Sequence, residues 1–238
     1  MAIDQALLER AGRRNERWLR LYRWVPHCLS FGRHERASAR YDRRRIEAKG
    51  LDVVRRPTGG RAVWHAGELT YAVVVPAGEA PGLRAAYLEI HHMLLDAVRA
   101  LGAAAELAPS VGAAGLDAGA CFAQPVGGEI VAGGRKVVGS AQVREAGGLL
   151  QHGSILLDED QSLVREMTVG AAPPDGSAPL SSILGRPVGP MAAAAAVAGA
   201  AAARWRGSWA EVTDAGEVLT GARAHLPRFT SPEWTWRA

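Results

Sequence analysis

Lysine is almost missing from this sequence: Lys49 and Lys136 stand against 26 arginines. A chain so biased toward arginine that keeps a lysine at 136 either reflects a single chance choice or marks a task that suits a compact, titratable ammonium better than a guanidinium. Cysteine is as scarce. Cys28 and Cys121 cannot build a disulfide framework, and no Cys/His cluster has zinc-ligand spacing, so each is expected as a free thiol and no metal site is expected. No run approaches the roughly 18 consecutive apolar residues of a membrane helix, and the N-terminus lacks the apolar core of a signal peptide. The expectation is a cytoplasmic protein with no membrane partner. A zinc finger and an RNP-like aromatic motif are also missing, which argues against nucleic acid as a partner.

What the chain does hold is enough apolar material for a substantial core. Hydrophobic residues make up 48% of its 238 positions, which suits one large domain or two small ones. The formal net charge of +4 hides an asymmetry: residues 1–61 carry 16 Lys and Arg against 7 Asp and Glu, and the remainder 12 against 17. Arg36, Arg40, Arg43, Arg44 and Arg45 crowd a basic helical pattern over Arg36–Lys49. Such a face either steers an acidic partner or simply stays solvated.

Periodicity supplies the elements. Ile3, Ala6, Leu7 and Ala11 predict an amphipathic helix over Met1–Leu21, and Leu19–Gly32 is aromatic and β-prone, broken by Pro26. Leu69–Val75 reads as an apolar strand. Arg84–Leu101 reads as a helix burying Leu88, Leu95 and Val98, with His91 and His92 as surface or satisfied histidines. Ala103–Gly119 is Ala/Gly-rich and reads as a mobile loop leading to Cys121, an alanine-rich helix follows at Met191–Arg206, and the aromatic end FTSPEWTWRA is expected to pack back on the domain. Together these define an α+β fold, with strands clustered at the centre and helices at both ends.

Two stretches carry chemistry. RRPTGGRAVWHAGELTY, residues 55–71, reads as strand, tight turn, strand. Its glycine pair lets a ligand approach the backbone while Arg55 and Arg56 offer charge-assisted hydrogen bonds, although an ordinary glycine-turn hairpin fits the spacing equally well. The second stretch, Glu129–Asp158, reads as a three-stranded meander interrupted by the glycine pairs at 133–134 and 147–148. Lys136 begins its middle strand, Gly139, Ser140 and Ala141 offer a small-residue face to a ligand, and His152 and Gly153 lie on the third strand. A thiol at Cys121, if exposed beside Lys136, would be pushed toward thiolate by the neighbouring charge. The alternative is a plain meander with a solvent-facing lysine.

These residues carry a resemblance. RRPTGGRAVWHAGELTY followed by GRKVVGSAQVREAGGLLQHGSILLD resembles the catalytic domain of the biotin/lipoate protein ligase family, with weaker likeness through MAIDQALL and PEWTWR. The resemblance implies one catalytic domain over residues 1–238, with a core at about 19–160 and a C-terminal helical segment at about 190–238. It implies a mixed β-sheet flanked by helices, with an acyl group held in a tunnel between the RRPTGG turn and the GRK strand. By the same resemblance Arg55, Arg56, Gly59, Gly60 and His65 shape the substrate site, and Lys136 approaches the acyl carbonyl.

CFAQP at 121–125, with GSAQVR and QHGSILLD, is most similar to the LipM-type octanoyltransferases. In these the matching cysteine forms an acyl-thioester and the matching lysine lowers its pKa. ATP-dependent lipoate-protein ligase and lipoyl amidotransferase are the alternatives within the family. The implied partners are octanoyl-acyl carrier protein and a lipoyl-accepting carrier, either the glycine cleavage H protein or a dehydrogenase E2 domain. No cofactor is implied, because a thioester is already activated. His65 and His152 are candidates to shuttle protons. The sequence departs from the family pattern at Gly127-Gly128, where bulkier residues are expected, and it opens inside the family's first helix.

Overall fold

The computed structural model describes residues 1–79, 82–109, 127–172 and 174–237. In chain order it runs through α1 (Ala2–Arg14), β1 (Trp18–Tyr22), β2 (Cys28–Phe31), α2 (Ala37–Arg40), α3 (Arg43–Ala48), β3 (Asp52–Arg55), β4 (Val63–His65), β5 (Glu68–Pro76), α4 (Leu83–Ala100) and β6 (Ala105–Leu107). There follow β7 (Ile130–Ala132), β8 (Arg135–Lys136), β9 (Val138–Glu145), β10 (Gly148–Leu156), α5 (Ser162–Met167), α6 (Leu180–Leu184), α7 (Pro190–Arg204), α8 (Gly216–Arg223), α9 (Leu226–Thr230) and α10 (Pro232–Thr235). The class is α+β, with sheets flanked by helices, as expected. Among the described residues no helix is long and apolar enough to cross a membrane.

The main sheet has the order β1-β5-β10-β9, antiparallel throughout. Its central strand β5 shows why two faces can be covered at once. Leu69, Tyr71 and Val73 point to one side and join a core with Met93, Leu94 and Val98 of α4 and Ala193, Val197 and Ala201 of α7. Ala72 and Val74 point to the other side and meet Leu7, Leu8 and Ala11 of α1. Each large side chain so buried contributes about 1.5–3 kcal/mol relative to exposure. The first helix stops at Arg14, short of the expected Leu21, because Asn15 adopts a left-handed conformation (φ 57°) that caps it. The aromatic residues after it then pair with β5 as β1.

Two other expectations are corrected. The strands flanking Pro57–Gly60 exist as β3 and β4, yet they do not form a hairpin: β2 lies between them, parallel to β3 and antiparallel to β4. The turn is instead packed against the end of β2, where a side chain on Gly32 would place its Cβ 1.8 Å from the Gly60 carbonyl oxygen. Arg56 holds the turn by donating to the carbonyls of Gly59 and Arg61 at 2.8 and 2.6 Å. The meander, likewise, is divided between two sheets. Its middle strand breaks at Val137, so that β8 pairs with β7 in a small sheet of order β6-β7-β8 while β9 pairs with β10 in the main one. Part of the stretch read as a loop, Ala105–Leu107, is the strand β6 of that small sheet; residues 110–126 lie outside the described residues. The aromatic C-terminal segment does pack back, Trp236 lying 5.2 Å from Phe31 of β2.

Candidate functional site

The antiparallel register of β5, β10 and β9 sets Ala72, His152 and Ala141 in one row and Tyr71, Gly153 and Ser140 in the next. Over these rows opens a narrow cavity of about 30 Å³, well below the roughly 300–1,000 Å³ usual for small-ligand sites. Arg56, His65, Gly139, Ser140, Ala141, His152 and Gly153 all line it, joined by Met1, Tyr22, Val63, Thr70 and Ser154. Gly153 must be glycine, since a Cβ there would fall 2.1 Å from the Gly139 carbonyl oxygen and 2.9 Å from the Tyr71 ring. Gly139, Ser140, Ala141 and Gly153 give the cavity a lining of small residues.

The two cavity histidines are fixed on both sides. His65 Nε2 lies 2.7 Å from Ser30 Oγ and its Nδ1 2.6 Å from Glu68 Oε1, while Trp24 stacks on the ring at 4.6 Å. His152 Nε2 lies 2.6 Å from Thr58 Oγ1 and its Nδ1 3.2 Å from Asp4 Oδ2, and Arg20 holds the other Asp4 oxygen at 2.6 Å. Burial lowers the pKa of His152. Every ring nitrogen of the two imidazoles thus has a hydroxyl or carboxylate partner. They are walls, set in place by a hydroxyl and a carboxylate apiece.

A third histidine does more than sequence reasoning assigned to it. His91, fully buried on α4, has Nδ1 2.7 Å from the Gly128 carbonyl and Nε2 2.9 Å from Ser140 Oγ. Burial pushes its pKa down to about 3, so the ring is neutral, and the carbonyl fixes the tautomer with the proton on Nδ1. A directed chain follows: Gln142 donates to Gln151, Gln151 to Tyr71, Tyr71 to Ser140, Ser140 to His91, and His91 to Gly128. It ties the cavity lining to the backbone just before Glu129. There Gly128 adopts φ +92°, and a Cβ would sit 2.9 Å from Leu88 Cδ2, which explains the glycine where bulkier residues are expected.

Lys136 is not solvent-facing. It is 2% exposed, at the junction of the small and main sheets, and its Nζ donates to Glu129 Oε1 at 2.6 Å. Cys121, its expected partner, lies outside the described residues. The other thiol, Cys28, is buried, and burial with nearby Asp52 pushes it up to about 12, so it is inert as a nucleophile.

Some expected site residues go elsewhere. Arg55 does not line the cavity. Its buried guanidinium donates to the carbonyls of Gly32, Glu35, Trp234 and Arg237 at 2.6–3.0 Å, clamping the C-terminal segment to β2 and β3. Gly59 and Gly60 shape the turn behind Arg56 and do not line the cavity either. Asp4, His91, Glu129 and Tyr71 were missed as site residues. Asp4 shares a helical stripe with Leu7, Leu8 and Ala11, and His91 one with Leu94, Leu95 and Val98. A polar residue inside an apolar stripe was the available signal.

A strand-built cavity covered by helices on an α+β core is the fold of the lipoate-protein ligases. A lipoate-protein ligase A solved with bound ATP superimposes with a TM-score of 0.83, covering 99% of this chain and 92% of that one at 21% identity. A putative lipoate protein ligase from T. acidophilum with bound lipoic acid gives 0.81, covering 100% and 92% at 21% identity. The family model for the lipoyl protein ligase A/B catalytic domain matches residues 1–201, and the chain belongs to that family.

Among curated relatives, the proteins named octanoyltransferase LipM from Exiguobacterium sibiricum and Kyrpidia tusciae are similar to it. The first is 41% identical over 172 residues, covering 68% of this chain and 62% of that protein; the second is 44% identical over 171 residues, covering 67% and 62%. The chain thus spans a little over three fifths of the length of the curated relatives it matches.

Proposed function

We propose that this chain is the catalytic domain of an octanoyltransferase, acting in the cytoplasm and working as one unit over residues 1–238. It takes an octanoyl group from octanoyl-acyl carrier protein onto Cys121 and passes it to a lysine of a lipoyl-accepting carrier, the glycine cleavage H protein or a dehydrogenase E2 domain. The observation that carries the reading is the buried ion pair of Lys136 and Glu129 in a chain that otherwise avoids lysine. Keeping an ammonium out of water costs several kcal/mol unless it is paired, so the position needs a reason. A fixed cation that favours a thiolate and then an oxyanion supplies one. The similarity to LipM octanoyltransferases supports the same assignment.

Two half-reactions follow from that chemistry. The Cys121 thiolate adds to the thioester carbonyl of octanoyl-acyl carrier protein, and the tetrahedral oxyanion collapses with loss of the carrier thiolate. Lys136 offsets negative charge on the thiolate and oxyanion in turn. The acceptor lysine, as the free amine, then adds to the enzyme thioester, loses a proton, and leaves as the amide while the Cys121 thiolate is regenerated. Ser140 and the glycines beside it let the acyl chain lie against the cavity lining, and Arg56 braces the turn above it.

The test is intact-mass measurement after mixing with octanoyl-acyl carrier protein. One octanoyl adduct is expected on the wild type and on Cys28→Ala, and none on Cys121→Ala. Octanoylation of the acceptor carrier from octanoate plus ATP, with no adduct on the protein itself, would make it a lipoate-protein ligase. An adduct formed only from an octanoylated H protein would make it a lipoyl amidotransferase.

A further inference from the structure

The half-reactions above make no use of His91, although its ring stands between a residue of the cavity and the backbone that carries Glu129. Arg84, Leu88 and His91 recur at spacings of four and three along α4, so they share one face of the helix. That face fits onto Gly127-Gly128. Arg84 donates to the Gly127 carbonyl at 2.9 Å, Leu88 Cδ2 would lie 2.9 Å from a Cβ on Gly128, and His91 donates from Nδ1 to the Gly128 carbonyl at 2.7 Å. Tyr87 stacks on the His91 ring at 3.9 Å. At the other edge of the ring, Ser140 Oγ donates to Nε2 at 2.9 Å.

Ala108 binds the chain on both sides of that carbonyl. The Gly128 N–H donates to the Ala108 carbonyl at 2.8 Å, and the Ala108 N–H donates to the Glu129 carbonyl at 2.7 Å. Between those two bonds lies the peptide plane joining Gly128 to Glu129, and its carbonyl is the group that His91 holds. Gly128 is buried and sits at φ +92°, in a region where glycine moves with little steric resistance. Without the imidazole this carbonyl would be buried and unsatisfied, so the plane would turn toward another donor and carry the Glu129 side chain with it. Glu129 Oε1 receives the Lys136 ammonium at 2.6 Å, so the displacement passes on to the cation. A neutral ring holds the plane without setting a second positive charge near Lys136.

We propose that His91 is a positioning residue for acyl transfer: it fixes the Gly128–Glu129 peptide plane, and through Glu129 it fixes the place of the Lys136 ammonium. Its bearing on catalysis rests on the octanoyltransferase reading; the fixing of Lys136 does not. Two substitutions tell the ends of the ring apart. An asparagine amide reaches about as far as Nδ1 and can donate to Gly128, whereas a glutamine amide reaches about as far as Nε2 and can accept from Ser140.

Lys49 and Lys136 are the two lysines of the chain, so protein made with lysine carrying an NMR-active nitrogen at Nζ shows at most two ammonium signals. Lys49 is exposed and exchanges its ammonium protons with water, whereas the buried Lys136 should give a sharp signal that vanishes in Lys136→Met. That signal should keep its position in His91→Asn, and shift or broaden in His91→Leu and His91→Gln. Single-turnover acylation of Cys121 should fall by up to about 10²-fold in His91→Leu, the scale for a reacting group misplaced by a distant change. The steady-state KM for octanoyl-acyl carrier protein should stay close to that of the wild type, and His91→Asn should recover most of the lost rate. A wild-type signal or wild-type acylation in His91→Leu, or an asparagine variant as impaired as the leucine one, would overturn the positioning role. If the leucine variant does not fold, the asparagine and glutamine variants decide it by the same two readouts, and equal behaviour of the two overturns it. If the wild type forms no acyl-enzyme, the transferase reading fails, and the Lys136 signal alone then judges the positioning. A signal moved in the leucine and glutamine variants and kept in the asparagine variant supports it, and one identical in all of them overturns it.

Discussion

Replacing Lys136 by methionine keeps an unbranched chain of similar bulk but removes the ammonium that sits 2.6 Å from Glu129. Glu129 is 7% exposed, so losing this partner leaves its carboxylate in a poorly solvated place. Breaking one side of a buried pair costs about 3–5 kcal/mol, which in a domain of this size lowers Tm by roughly 6–20 °C. Glu129→Gln should cost a similar amount by leaving the cation behind. The double variant Lys136→Met/Glu129→Gln removes both charges, so it should return to within about 1–2 kcal/mol of the wild type. The assay is urea unfolding of all four proteins, with stability taken from the midpoint at constant m. Acyl transfer should stay abolished in the double variant even though its stability is restored, which separates what the lysine does for the fold from what it does for the chemistry. A single variant within about 1 kcal/mol of wild type, or a double variant as unstable as the two singles combined, would refute the coupling.

Four further outcomes are expected. Lys136→Arg should slow acylation by about 10²–10³-fold, the range for a lost oxyanion donor, because a guanidinium cannot take the place of a compact ammonium at that buried position; single-turnover rates decide it. Arg55→Met should lose about 3–5 kcal/mol by leaving several buried carbonyls without donors, with kcat of the folded enzyme unchanged; a large fall in kcat would return Arg55 to the substrate site. For His91 the folded pKa of about 3 lies below the unfolded value, so its contribution is complete above about pH 6.5 and declines by up to about 1.4 kcal/mol per pH unit below it. Urea midpoints from pH 7 to 5 should fall less steeply in His91→Gln, with His152 keeping its own share, and identical slopes would sink the assignment. Finally, kcat/KM for octanoyl-acyl carrier protein should fall steeply with salt and more gently in Arg43→Glu/Arg44→Glu, since both side chains are exposed on α3.

The strands and helices were legible wherever local periodicity decided them: β5, α4 and α7 begin and end within a residue or two of the expected limits. Pairing was not legible. Nothing in RRPTGGRAVW reveals that β2, more than twenty residues earlier, comes between β3 and β4, because that register is set by long-range contacts such as Gly32 against Gly60. For the same reason Arg55 and Arg56 look equivalent in sequence. Adjacent residues on a strand point to opposite sides, so one arginine reaches the C-terminal carbonyls and the other the cavity. The small residues at 139–141 and the pair His152-Gly153 line the cavity because the antiparallel register sets them in adjacent rows. Asp4 and His91 were hidden by partners 148 and 49 positions away.

The central claim is that Cys121 carries the acyl group. Its most direct measurement is peptide mapping of the wild-type protein quenched after mixing with octanoyl-acyl carrier protein, followed by a chase with an acceptor carrier. The account expects one octanoyl group on the peptide that contains Cys121, and its disappearance as the acceptor lysine becomes octanoylated. An octanoyl group found only on another residue, or acceptor octanoylation that proceeds at the wild-type rate in Cys121→Ala, would contradict it.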